Sequence, residues 1–191
     1  MRVEILEESG YRCALFGVGM SYGLTSGKNL DDVDDDLRLR LQGIAKKLAG
    51  KGGGHDKFLR QIQIIVDVTA PRYWWIEFDT YKVGTTAQSE STMHTIMKRP
   101  LDEDMFSDTL EADWLKYLNR AREDGDFNTV LKHLPQSFMQ RRIVSMNYAV
   151  FQNIVDQRKD HKLHEWHWFI RDMMRQLAYP ELIKRCYGEE I

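Results

Sequence analysis

Four groups of residues have types and spacings that could do chemistry. In "HKLHEWH", His161, His164 and His167 stand at steps of three around Glu165. Imidazoles one helical turn apart can share a metal ion, but steps of three drift around a helix and the HExxH spacing is absent. The pattern reads as solvated or interface histidines. In "GKGGGH", glycines precede His55, but the phosphate-loop spacing is missing and a helix, not a strand, comes before it. That stretch reads as a flexible joint that lets a ligand approach the backbone. A third group is Asn147, Asn153 and Arg158. Eleven residues are close to three helical turns, so Asn147 and Arg158 share a face if the helix is continuous. Such an arginine suits a phosphate and such amides suit the edge of a base. The same residues also read as caps, surface amides and a helix-end cation. The fourth group is the polar run Glu77, Asp79, Tyr81, Lys82, Thr85, Thr86, Gln88, Ser89, Glu90 and Ser91, which directly follows the aromatic stretch "RYWWIEF".

No nucleophile elbow is present. Neither Cys13 nor Cys186 has a local partner that would activate it, and "GVGMSYG" is only a fragment of a dinucleotide fingerprint.

These groups need elements to hold them. "RVEIL" alternates polar and apolar, as a strand does. "GYRCALFGVGMSYG" is an apolar segment punctuated by glycine. "LDDVDDD" offers acids to a helix start, and Leu37, Leu41, Ile44, Ala45 and Leu48 recur at helical spacing up to "GKGGG". Ile62, Ile64, Val66 and Val68 alternate with Gln61, Gln63 and Asp67 and predict the best strand in the chain. Pro71 can open a helix whose aromatics are too dense for exposure and which Gly84 would end. Amphipathic spacing predicts a helix over residues 104–124, and a short helix up to Pro135. A strand is expected in "SFMQRRIVSMN" and helices in "YAVFQNIVDQR" and "HKLHEWHWFIRDMMRQLAY". The pattern is α+β: a single helix-rich domain over residues 1–191 with a small antiparallel sheet.

The chain has 191 residues, 42% of them hydrophobic, enough to bury a core. A formal net charge of -2 argues against a nucleic-acid binder driven by bulk electrostatics. No apolar run approaches membrane-spanning length and the N-terminus lacks a signal-peptide pattern, so neither membrane nor export is expected. Two cysteines far apart in sequence point to a reducing cytoplasm.

Three blocks resemble the flavin-dependent thymidylate synthase family: "MRVEIL", "GHDKFLRQIQIIVDVTAP" (Gly54–Pro71) and "LPQSFMQRRIVSMNYAVFQNIVDQR" (Leu134–Arg158). The resemblance implies a homotetramer with sites shared between subunits. It also implies FAD, dUMP as a pyrimidine deoxynucleotide substrate, methylene-tetrahydrofolate and NADPH. The reaction would be one-carbon transfer, methylation or hydroxymethylation, to uracil C5, with no protein cysteine attacking the ring. By resemblance, His55 lies beside the flavin and Asn147 and Asn153 contact its nucleotide part. Arg158 holds the dUMP phosphate.

The family signature RHRxxSxNExSxRY falls on Thr80-Tyr81-Lys82, Thr85, Ala87, Gln88, Glu90, Thr92 and Met93. Tyr81 and Lys82 would then face the flavin, and Thr85, Gln88, Ser89, Glu90 and Ser91 the nucleotide. Each lost arginine removes charge-assisted bonds worth roughly 1.5–3 kcal/mol to an anion. Arg72 and Lys98 are nearby candidates to replace them. Ala149 stands where the family has a further arginine, and Glu165 lies one position from a family glutamate. The alternatives are a non-catalytic nucleotide-binding oligomer of the same fold and a structural oligomer without ligand.

Overall fold

The computed structural model describes residues 1–183; Cys186 lies outside them. Strand β1 (Arg2–Ser9) opens the chain and helix α1 (Tyr11–Met20) follows at once. The turn between them is set by Gly10, at φ +87°. A Cβ there would sit 2.1 Å from the Gln61 carbonyl oxygen, so only glycine fits. The glycine-punctuated segment is thus a helix, its Gly17 and Gly19 tolerated because Ala14, Leu15 and Val18 bury against the core. Helix α2 (Asp35–Leu48) starts where Asp34 accepts the Leu37 N–H at 2.8 Å, as the acidic run predicts.

A 3₁₀ turn at Lys57–Gln61 leads into β2 (Gln63–Pro71), where Ile64, Val66, Val68 and Ala70 are fully buried. On the opposite face, where Gln63 is exposed and Ile65 and Thr69 are half-buried, Asp67 is only 3% exposed. Arg141, diagonal to it across the neighbouring strand, donates from Nε to both carboxylate oxygens at 2.9 Å. This pairing holds the Asp67 carboxyl below its ordinary pKa, the hydrogen bond being the largest cause.

Pro71 then caps α3 (Arg72–Phe78), which ends six residues before Gly84. Beyond it the chain turns, with both the N–H and the hydroxyl of Thr80 donating to the Glu77 carbonyl, at 3.1 and 2.7 Å. The polar run that follows forms strand β3 (Thr86–Ser89) and a single helical turn α4 (Thr92–Thr95). Helices α5 (Ala112–Glu123) and α6 (Phe127–His133) come next, α5 starting well inside the predicted span. Residues before it form a 3₁₀ turn at Glu103–Met105 and a bridge between Phe106 and Phe138. Strand β4 (Met139–Asn147) runs directly into α7 (Tyr148–Arg158), and α8 (His164–Gln176) completes the set.

The four strands form one antiparallel sheet in the order β1-β2-β4-β3. The main core joins the sheet to the aromatics of α3, α7 and α8: Trp74, Trp75, Phe78, Phe151, Trp166 and Phe169 are all 2% exposed or less. A second cluster, with Leu118, Val130, Leu101 and Phe106, packs α5 and α6 against the 96–106 segment. Asn119 ties that segment down through both the N–H and the carbonyl of Leu101, each at 2.8 Å.

Candidate functional site

The register of the sheet brings the candidate residues to one end of it. Gln63 at the start of β2 faces Asn147 at the end of β4, and Thr86 at the start of β3 faces Ser145. Asn147 is the N-cap of α7: its Oδ1 accepts the Val150 N–H at 3.0 Å, leaving the amide nitrogen to donate elsewhere. Helix α7 is continuous to Arg158, as the eleven-residue spacing requires. Asn153 is exposed on it and accepts from Gln157 at 3.2 Å.

Arg158 lies against α3 and α8. Its Nε donates to the Tyr81 hydroxyl at 2.8 Å and its Nη1 to Glu77 Oε2 at 3.1 Å. The guanidinium also stacks 4.9 Å from the Trp166 ring. Glu77 is a hub: the same Oε2 accepts from the indole of Trp166 at 3.2 Å and lies 3.1 Å from His161 Nε2. A phosphate approaching Nη1 of Arg158 would compete with a carboxylate that already has other partners. Sequence reading named Glu77 only as one polar residue among many. The signal was a carboxylate inside a run of aromatics, but its partners are 81 or more residues away. His161 belongs to this hub, while His164 and His167 meet edge-on at 5.9 Å.

The segment Tyr81–Ser91 is the least buried part of the region. Tyr81 is covered by Phe78 and Trp166, whereas Lys82, Gln88, Ser89 and Glu90 are exposed. Thr85 is half-buried and donates its hydroxyl to the Tyr81 carbonyl. Gly84, at φ +89°, rests on α7, where a Cβ would meet Val150 Cγ2 at 2.5 Å. Ser91 precedes α4, and its carbonyl accepts from the Thr95 hydroxyl at 2.9 Å. Glu165 receives the Tyr73 hydroxyl; burial first and this carboxylate second push the Tyr73 pKa up to about 12.

His55 sits apart from this segment, at the mouth of a pocket of about 340 Å³ between α1, α2 and the 57–61 turn. Ala14, Val18, Leu48 and Phe58 form an apolar floor, while His55, Lys57 and Arg60 line it with basic side chains. Such a lining suits a ligand with an apolar part and an anionic part. Another pocket, about 260 Å³, lies along α3 at Arg72 and Ile76 and is also lined by Thr92, Gln140 and Arg142.

Searches of protein-family models and of curated proteins gave no match to this chain. Solved structures did. The flavin-dependent thymidylate synthase ThyX from Helicobacter pylori, complexed with FAD and dUMP, is similar over 98% of this chain and 100% of that one. The TM-score is 0.78 and the identity 14%. PolB from Streptomyces cacaoi, a UMP/dUMP methylase bound with 5-Br dUMP, is similar over 96% of this chain and 93% of its own, with a TM-score of 0.65 and 14% identity. The chain has the fold of the flavin-dependent thymidylate synthases.

Proposed function

We propose that this protein is a divergent flavin-dependent thymidylate synthase-like enzyme that binds FAD and a pyrimidine deoxynucleotide and transfers one carbon to C5 of dUMP. The observation that carries this reading is the end-to-end similarity to an enzyme solved with FAD and dUMP. Residues 1–191 then act as one domain within a homotetramer, in the cytoplasm, with methylene-tetrahydrofolate as carbon donor and NADPH as reductant. Bound flavin would supply the hydride that completes the transferred group.

The residues of the chain have separable tasks in this reading. The apolar floor beneath His55 covers the ring, and Lys57 and Arg60 face anionic parts of the cofactor. Lys82 and the amides of Asn147 and Asn153 complete the cofactor contacts, and the buried Tyr81 ring backs them. Thr85, Gln88, Ser89, Glu90 and Ser91 form the polar wall toward the nucleotide. Arg158, held flat by Glu77 and Tyr81, presents a fixed donor edge at the end of α7.

One observation favours a second reading, a nucleotide-binding oligomer without flavin chemistry. Positions 80, 82 and 92 carry Thr, Lys and Thr where the signature has arginine. The visible absorbance of the purified protein and its melting temperature with added FAD separate the two. A flavin spectrum and a raised melting temperature support the enzyme, because a native-state ligand must stabilise. A colourless protein indifferent to FAD but stabilised by dUMP supports the second reading, and indifference to both removes the two together.

A further inference from the structure

Resting on the reading above, we infer that the pocket containing Arg72, Arg142 and Thr92 is the seat of the nucleotide's phosphate. Arg72 and Arg142 would supply its cationic donors.

Three observations lead to it. First, the two guanidinium groups line one cavity of about 260 Å³ with the Gln136 amide and the Thr92 hydroxyl, donors suited to a phosphate monoester. Second, Arg142 is pre-organised. Its side chain is 14% exposed, stacks 4.3 Å from the Trp75 ring centroid, and is steered by Gln140 Oε1 at 3.0 and 3.2 Å. Third, the counter-charges differ between this pocket and Arg158. Glu77 accepts from both Arg158 and Trp166 and touches His161, so removing it from Arg158 disrupts several contacts. Arg142 faces Asp79, whose side chain is 52% exposed and free to turn into water. Arg72 reaches the Leu134 carbonyl at 3.3 Å and pairs with no carboxylate among the described residues. With two arginines against one exposed carboxylate, the pocket keeps a positive balance that Arg158 lacks.

Calorimetric titration of the full chain with dUMP, 2′-deoxyuridine and inorganic phosphate tests this. The wild type should bind dUMP roughly tenfold or more tighter than deoxyuridine, the size of one charge-assisted contact. Inorganic phosphate should compete with dUMP and leave deoxyuridine binding unchanged. Arg72→Gln and Arg142→Lys should each close the gap between nucleotide and nucleoside, and Arg158→Gln should preserve it. Should Arg142→Lys fail to fold, as its stacking on Trp75 allows, Arg72→Gln alone decides. A gap that survives Arg72→Gln and collapses in Arg158→Gln, or a wild type that binds nucleotide and nucleoside equally, overturns the phosphate seat while the functional reading stands. A wild type that binds neither overturns both.

Discussion

Glu77 holds together groups from three helices, and its removal should be felt in stability as well as in binding. Glu77→Ala leaves the partly buried donors of Arg158, His161 and Trp166 without their shared acceptor. A loss of about 1–3 kcal/mol is expected in a urea melt; an unchanged midpoint would show that the cluster is decorative. Asp67 makes a different kind of prediction. Its carboxyl titrates below its ordinary value in the folded state because Arg141 bonds to the charged form. The stability it adds is present above the unfolded pKa of about 3.9 and is lost as pH falls through the lower folded value. Melting temperatures followed from pH 5 downward should therefore drop more steeply for the wild type than for Asp67→Asn. Parallel curves would mean that the pairing contributes nothing.

At the scale of elements, α7 and the loop before β3 fix the site. Asn147 caps α7 and Gly84 lies against it, so the contribution of each to the fold can be read from stability in the absence of ligand. Asn147→Ala should cost about 1 kcal/mol through the lost cap. Gly84→Ala should cost at least as much, since a positive φ and the contact with Val150 both oppose a side chain, roughly 1–2 kcal/mol for the backbone conformation alone. Thermal melts of both variants check this, and a Gly84→Ala protein as stable as wild type would mean that the loop rests elsewhere.

The same elements show what the sequence made legible. β2 was readable because Ile64, Val66 and Val68 alternate at a strand's period, and α7 because its start, end and apolar positions agree. β3 was not. All four of its residues are exposed, so no hydrophobic period marks it, and it exists by hydrogen bonding to the edge of β4. α3 was predicted too long because Tyr81 is buried beyond its end, and an apolar pattern cannot tell a buried turn from one more turn of helix. The Arg158 cluster escaped for another reason: its members lie in α3, α7, α8 and the segments after α3 and α7, and only packing brings them together.

For the whole molecule, the surface bears on assembly. Ile76, Trp114, Tyr117 and Trp168 are each more than 40% exposed, though such side chains usually find cover. The proposed homotetramer would cover part of this surface and complete sites that one chain leaves open on one side. Among the described residues no helix is long and apolar enough to cross a membrane. Native mass spectrometry of the purified protein, with FAD and then dUMP added, addresses assembly and ligands in one spectrum. The account predicts a tetramer that carries FAD and gains the mass of dUMP. A monomer that takes up neither ligand would contradict it.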